Sequence, residues 1–220
     1  YKTIMFDGVK WKSTGGAGGT AELFTGGRES EEANEKKGCF TAYMNSKLCP
    51  QLMNTVDGYK ENNIMILSLM RLADVYLMYA EATAVGYNGP KGKAATYSLT
   101  AEEALNKIRE RAGIALLSNI NMEKVRHERR VELAFEGHRF WDMKRWRIAH
   151  LDVAQGGLNG FRGTALYPWY DIRDGKYVFE RGRNTPKQLR IFLEKNYYTK
   201  INQDDMNSNP NLIQNPGYTN

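Results

Sequence analysis

The side chains best suited to chemistry are three histidines, His127, His138 and His150, in a region rich in arginine and glutamate. His127 and Glu128 match the start of the zinc-protease pattern H-E-x-x-H, in which two histidines one helical turn apart bind the metal. Val131 occupies the position of the second ligand, so one turn carries only one imidazole. We therefore predict no metal site and expect histidines that lie at the surface or are held by hydrogen bonds.

Other catalytic and nucleotide-binding patterns are incomplete. Gly92 and Lys93 are followed by Ala94, where a phosphate-binding loop has Ser or Thr. The glycine-rich stretch 14–20 does not lie between a strand and an amphipathic helix. No serine or cysteine lies in a G-x-S-x-G turn or beside a histidine, so nucleophilic catalysis has no visible site. We predict neither an enzyme nor a bound cofactor.

Composition indicates a globular protein without a membrane span. The 220 residues are 41% hydrophobic and 25% charged, which is ordinary for a chain that buries a sizeable core. The net charge of +6 permits nucleic acid or an anionic surface as a partner but does not require either. No run of 18 apolar residues exists. Because the chain opens at Tyr1, we interpret it as a mature fragment or the later part of a longer protein.

The two cysteines, Cys39 and Cys49, are separated by nine residues. They could close a small loop in an oxidising compartment, and such a bridge would stabilise the fold by roughly 2–3 kcal/mol. Metal binding would need further ligands, and the histidines lie far downstream. A disulfide and two buried thiols are equally compatible with the sequence.

The sequence patterns divide the chain into three parts. We interpret these parts as one domain, and we expect this domain to be part of a larger domain. Residues 1–63 are rich in glycine and polar side chains, which predicts loops with short strands. Residues 64–150 contain four helical patterns and form the predicted scaffold. Residues 151–220 are irregular and are expected to pack on the helices, with short strands predicted at 176–180 and 189–194.

Two of the helical patterns predict a helical hairpin. Apolar residues with 3,4 spacing from Leu69 to Val85 indicate a central helix. The second helix begins with a capping box formed by Thr100 and Glu103 and ends at Gly113. Antiparallel helices joined in this way form the unit of tetratricopeptide-like packing, although the connection is longer than in such repeats and no clean 34-residue period is present.

The remaining helices are predicted at 122–136 and 138–150, with Gly137 between them. Their arginines lie within one turn of glutamates, so charges are paired rather than presented to nucleic acid. Arg129 lies four residues after Val125 and four before Leu133, on the apolar side, which suggests a guanidinium held by carboxylates near the core. The predicted structural ion-pair network comprises Arg71, Asp74, Glu128, Arg129, Glu132, Glu136 and Arg139.

Four motifs, "LMRLADVYLMYAEA", "ALNKIRERAG", "VRHERRVELAFEGHRFWDMKRW" and "NPNLIQNPGY", together resemble the C-terminal half of the SusD/RagB family of outer-membrane nutrient-binding lipoproteins. The resemblance covers roughly residues 64–218. It implies a mainly α fold with tetratricopeptide-like helix pairs, long loops and a few short strands. It also implies partnership with a SusC-like TonB-dependent transporter, surface capture of a glycan or peptide, and no catalysis. Family members carry a lipidated cysteine after a signal peptide, which we expect outside this sequence.

A glycan site needs exposed aromatic side chains that stack on sugar rings, surrounded by polar groups. The resemblance implies ligand contacts from loops, and the loop aromatics that fit are Trp11, Tyr43, Tyr59, Trp169 and Tyr170. Each of them could instead pack against the helices. A helical scaffold that binds a protein partner and, less favoured, a nucleic-acid binder remain the alternative functions, and the identity of the nutrient stays open.

Overall fold

The computed structural model describes residues 3–13, 16–30, 39, 43–47, 68–160, 166–181 and 190–219. Within these residues the fold is mainly helical, with five α-helices, three pairs of short strands and long irregular connections, as predicted. The chain divides into two compact units, one formed by residues 64–139 and the other by residues 1–63 together with 140–220. The helical unit thus ends within the fourth helix, earlier than the boundary at residue 150 that the sequence pattern suggests.

The helical unit contains α1 (Leu72–Gly86), α2 (Ala101–Ala112) and α3 (Met122–Glu132), and α1 packs against both of the others. The core of this unit combines small alanines with larger aliphatic side chains. The buried apolar residues of this unit are Ala73, Leu77, Ala80, Ala101, Ala104, Leu105, Ile108, Ile120, Val125 and Leu133.

The ends of α2 follow the predicted capping pattern. The Thr100 hydroxyl accepts a hydrogen bond from the Glu103 backbone N–H at 3.2 Å, and the Thr100 N–H donates to the Glu103 carboxylate at 2.8 Å. The Thr100 hydroxyl also donates to this carboxylate at 2.9 Å. The two hydrogen bonds that the carboxylate accepts, from the Thr100 backbone first and from its hydroxyl second, lower the pKa of Glu103 below its usual range. Gly113 ends the helix with φ 68°, a left-handed conformation that favours glycine. The predicted capping box and terminal glycine are confirmed.

We expect removal of the Thr100 capping hydroxyl to destabilise the protein. Thr100→Ala leaves the N–H of Glu103 without its intramolecular acceptor, and we expect the free energy of unfolding to fall by about 1 kcal/mol. Chemical denaturation followed by circular dichroism measures the change. Ser98→Ala, an exposed hydroxyl two residues earlier, is the control. Equal midpoints for the two variants would contradict a capping role.

Both helices around Gly137 are shorter than their periodicity predicts. The third ends at Glu132 instead of Glu136, and α4 (His138–Arg145) ends five residues before His150. Positive φ angles explain both ends: Phe135 (65°) and Gly137 (81°) turn the chain before α4, and Arg147 (57°) follows it. The predicted division at Gly137 is confirmed. The predicted ends of the two helices are wrong, because the apolar spacing continues beyond the residues at which the backbone leaves the helical conformation.

The other unit is built from antiparallel strand pairs and small apolar clusters. Strand β1 (Ile4–Met5) pairs with β4 (Met44–Asn45), and β2 (Lys10–Ser13) pairs with β3 (Gly16–Thr20). Strands β5 (Leu166–Asp171) and β6 (Lys176–Arg181) form a hairpin. The short helix α5 spans Gln203–Ser208. The larger apolar cluster contains Met143, Ala149, Phe192 and Tyr197.

Three local predictions are corrected in this unit. The stretch 166–171, expected as a loop, is strand β5, because a two-stranded sheet leaves an edge where Pro168 needs no hydrogen-bonded N–H. Trp11, expected in an irregular loop, lies on β2 opposite Gly19. Residues 191–193 form no strand: Phe192 is buried against Tyr197, and a short 3-10 helix follows. The strand predicted at 176–180 is confirmed.

Candidate ligand-binding site

The β5–β6 hairpin carries aromatic side chains on one face. Pro168 pairs with Phe179 and Tyr170 pairs with Tyr177 across the two strands, and directly opposed residues share a face. The ring centroids of Tyr170 and Tyr177 are 5.1 Å apart, and those of Tyr177 and Phe179 are 6.5 Å apart. Tyr170, Tyr177 and Phe179 are 48%, 44% and 54% exposed. Tyr177 is therefore the centre of an exposed aromatic row.

One cavity, of about 370 Å³, lies against this row. Its lining residues are Phe6, Asp7, Tyr43, Pro168, Tyr177 and Phe179. The Asp7 carboxylate accepts the backbone N–H of Leu23 at 2.7 Å and the hydroxyl of Tyr177. The hydrogen bond to Asp7, together with desolvation and the negative charge of Asp7, raises the pKa of Tyr177 to about 12. Tyr177 is thus an uncharged phenol at physiological pH, and its ring is held against the cavity.

A second cavity, of about 300 Å³, also has Tyr177 in its lining. It is lined by Phe24, Thr25, Trp169, Tyr170, Ile172 and Tyr177. The backbone N–H of Thr25 donates to the carbonyl oxygen of Pro168 at 2.8 Å, which holds this segment along β5. The indole N–H of Trp169 donates to Glu180 at 3.0 Å.

The two cavities share Tyr177, and we call their lining residues together the hairpin surface. Each volume is at the lower end of the range of roughly 300–1,000 Å³ for small-molecule sites. Exposed aromatic faces with carboxylates at their edges can stack on the apolar face of a ligand and accept hydrogen bonds from its hydroxyl groups. The hairpin surface therefore has the chemistry of a site for a flat, hydroxyl-rich molecule.

The aromatic residues proposed from the sequence are distributed unequally. The structure brings Tyr43 to the first cavity and Trp169 and Tyr170 to the second. Trp11 lies on β2, and Tyr59 falls outside the described residues, so the roles of both stay predictions.

Sequence reasoning did not propose the other lining residues of the two cavities, namely Phe6, Asp7, Phe24, Thr25, Pro168, Ile172, Tyr177 and Phe179. The alternation of the predicted strand 176–180 places Tyr177 and Phe179 on one face and could have indicated that pair. Phe6 and Asp7 lie some 170 residues before Tyr177, the separation that the Asp7–Tyr177 hydrogen bond spans. No local pattern carries that contact.

Cys39 contacts the segment that contains Tyr43, a lining residue of the first cavity: its Sγ is 3.2 Å from the carbonyl oxygen of Tyr43. Cys49 falls outside the described residues. The Cys39–Cys49 bridge therefore stays a prediction.

The charged residues singled out from the sequence lie in the helical unit. Arg71 contacts both Glu132, at 2.6 Å, and Glu136, at 2.7 Å. The hydrogen bonds, led by that to Glu136, raise the pKa of Arg71 above its usual range despite partial burial. Arg111 also reaches Glu132, at 2.6 Å. The ion pairs of Glu132 and Glu136 thus connect the end of α3 to Arg71, the residue that precedes α1.

A second group of ion pairs is more deeply buried. Arg129 contacts Asp74 at 2.5 Å, and the two side chains are 5% and 6% exposed. Glu128 contacts Arg109 at 2.5 Å. These pairs join α3 to α1 and to α2. Arg139 is half-buried in the first turn of α4. Because the paired groups bond to each other inside the helical scaffold, their arrangement supports a structural role.

The described residues contain no group of three or more His, Cys, Asp or Glu side chains arranged to hold a metal ion. Nδ1 of His150 lies 2.8 Å from the hydroxyl of Tyr197, and His127 is exposed. No helix in this part of the chain combines the length and apolar character needed to cross a membrane.

The sequence model of the SusD family matches residues 1–218, so the chain belongs to this family. It is 39% identical over 134 residues to a SusD-like protein of Bacteroides ovatus, a match that covers 60% of this chain and 23% of that relative. A crystal structure of a SusD-like protein from Bacteroides fragilis superposes with a TM-score of 0.70 at 23% identity, which shows a shared fold. That match covers 98% of this chain and 38% of the other. The chain thus spans well under half the length of these relatives.

Proposed function

We propose that this chain is part of a non-catalytic cell-surface protein that binds a glycan at the hairpin surface. The SusD family is known for glycan binding, and its members are generally binding proteins without catalytic activity. The observation that carries the proposal is the pair of cavities, lined largely by aromatic side chains, that share Tyr177.

The chemistry of sugars fits this surface. A pyranose ring presents an apolar C–H face to an aromatic ring and directs its hydroxyl groups outwards. Trp169, Tyr170 and Tyr177 are 39–48% exposed, so their ring faces are available while their positions are held by the hairpin. Isolated exposed aromatics are common at protein surfaces, but a contiguous patch of this kind indicates a binding site.

We also propose that the protein delivers the bound glycan to a transporter. SusD family proteins are associated with SusC-like transporters and with the outer membrane. We infer that the whole protein, anchored at the cell surface through an N-terminal lipid, passes oligosaccharide to a TonB-dependent transporter. Trp11 and Tyr59 stay candidates for additional ligand contacts.

Single alanine variants of the full-length protein test glycan binding at the hairpin surface. Trp169→Ala and Tyr170→Ala should each weaken glycan binding by about 1–3 kcal/mol, because a stacking face is lost. The melting temperature should change little, since both side chains are exposed. Affinity electrophoresis against a panel of plant, host and storage glycans, followed by calorimetry on the glycan that binds best, measures the effect.

Trp141→Ala is the matched control, because Trp141 is an exposed tryptophan (65%) of α4 that does not line either cavity. Unchanged glycan affinity in well-folded Trp169→Ala and Tyr170→Ala variants would exclude the hairpin surface as the binding site.

A helical protein-interaction scaffold is the second candidate function, supported by exposed apolar side chains along α1, namely Leu72, Val75 and Met78. A screen in which no glycan binds, together with a protein partner lost on Val75→Asp, would favour it. A nucleic-acid binder would instead show affinity that falls steeply with salt.

A further inference from the structure

We propose that the hairpin surface selects uncharged glycans and rejects glycans that carry uronate or sulfate groups. The inference rests on the proposed glycan-binding function and adds the charge class of the ligand. It comes from the position of Asp7 in the first cavity and of Glu180 beside Trp169.

Asp7 is the only charged side chain among the described residues that line the first cavity. Its carboxylate is fixed from two sides, by the backbone N–H of Leu23 at 2.7 Å and by the hydroxyl of Tyr177. Both donors are neutral, so they hold the carboxylate in place without cancelling its charge. The negative charge of Asp7 contributes to the raised pKa of Tyr177, about 12.

The second cavity has no charged side chain among its described lining residues. The carboxylate of Glu180 lies beside one of them, since it accepts the indole N–H of Trp169 at 3.0 Å. The hairpin has three cations: Arg173 and Lys176 lie at its turn with Asp171 and Asp174, and Arg181 is the last residue of β6. No described cation lines either cavity.

These charges favour hydroxyl groups over anions. A sugar hydroxyl can donate a hydrogen bond to a fixed carboxylate, whereas a uronate would place a second negative charge beside it. The faces of aromatic rings are themselves the negative side of the ring quadrupole, so stacking adds no compensating attraction for an anion. Like charges brought together at a binding surface suppress the wrong partner more than they weaken the correct one.

The experiment compares one glycan in two charge states. The neutral glycan that the full-length protein binds best is oxidised at its primary hydroxyl groups to the corresponding uronate, which leaves the backbone linkage unchanged. We expect the oxidised glycan to bind the wild-type protein at least about tenfold more weakly, and Asp7→Asn to reduce that ratio several-fold. Asn keeps the shape of Asp7 and an oxygen that can accept the N–H of Leu23. Asp174→Asn removes the same charge at the exposed turn and should leave the ratio unchanged.

Four results would overturn the inference. Equal affinity of the wild-type protein for the neutral and oxidised glycans would refute charge selection and leave glycan binding intact. The same ratio in Asp7→Asn and Asp174→Asn would show that discrimination does not come from Asp7. A protein that binds only acidic glycans would contradict it outright. Absence of binding to any glycan of either charge would refute the proposed function, and the inference would fall with it.

Discussion

Arg129→Ala should lower the free energy of unfolding by about 3–5 kcal/mol, because it leaves a buried carboxylate without its cation. The Asp74 side chain is 6% exposed, and Nη1 of Arg129 lies 2.5 Å from its Oδ1. Urea denaturation followed by circular dichroism measures the loss.

Arg130→Ala is the matched control, since the neighbouring Arg130 is exposed. Lys124 is a poorer control because its Nζ donates to the carbonyl oxygens of Ser118 and Asn119. The double variant Asp74→Leu/Arg129→Met should be more stable than Arg129→Ala alone, because removing both charges removes the unpaired one. Similar small losses in Arg129→Ala and Arg130→Ala would refute the importance of the buried pair.

The predicted ion-pair network lacked Arg109 and Arg111, which contact Glu128 and Glu132, and the role of Arg139 in it stays a prediction. Its pairings were also not accessible from the sequence. The 3,4 spacing placed Arg129 on the apolar side of α3, and burial of that residue follows from the helix alone. The spacing also suggested pairing within single helices, whereas Arg71 contacts Glu132 across 61 residues and Arg129 contacts Asp74 across 55. Helix periodicity determines which face a residue occupies. The helix opposite that face is determined by tertiary packing.

The aromatic site was predictable to a similar degree. The expectation of exposed loop aromatics named Tyr43, Trp169 and Tyr170, which line the cavities, and also Trp11 and Tyr59, whose roles stay predictions. The hairpin was missed, because the stretch 166–171 was interpreted as a loop and only the strand at 176–180 was predicted. Without the hairpin, the register that places Tyr177 beside Tyr170 was inaccessible.

Gly156 and Gly157 follow α4, and substitution of Gly157 is expected to destabilise the protein strongly. Gly157→Ala should lower the free energy of unfolding by about 3 kcal/mol, because backbone atoms already occupy the space of a β-carbon. That carbon would overlap the carbonyl group of Leu151 and lie 2.8 Å from the carbonyl oxygen of Ile148. The Leu151 carbonyl accepts the N–H of Asn159 at 3.1 Å, so it cannot move aside without breaking a backbone hydrogen bond. Thermal and urea unfolding of the variant measure the loss.

Gly156 is the matched control, because it is required for a different reason. Its φ of 83° favours glycine, but nothing lies within 4 Å of a β-carbon there. Asn adopts left-handed backbone conformations more readily than other side chains do, so Gly156→Asn should cost under about 1 kcal/mol. Gly157→Asn should cost at least as much as Gly157→Ala, since its side chain meets the same carbonyl groups. If Asn were tolerated equally at both positions, the tight turn at Leu151 would not limit the side chain at Gly157. A ranking with Gly156→Asn as the more damaging change would mean that conformation, rather than space, restricts this loop.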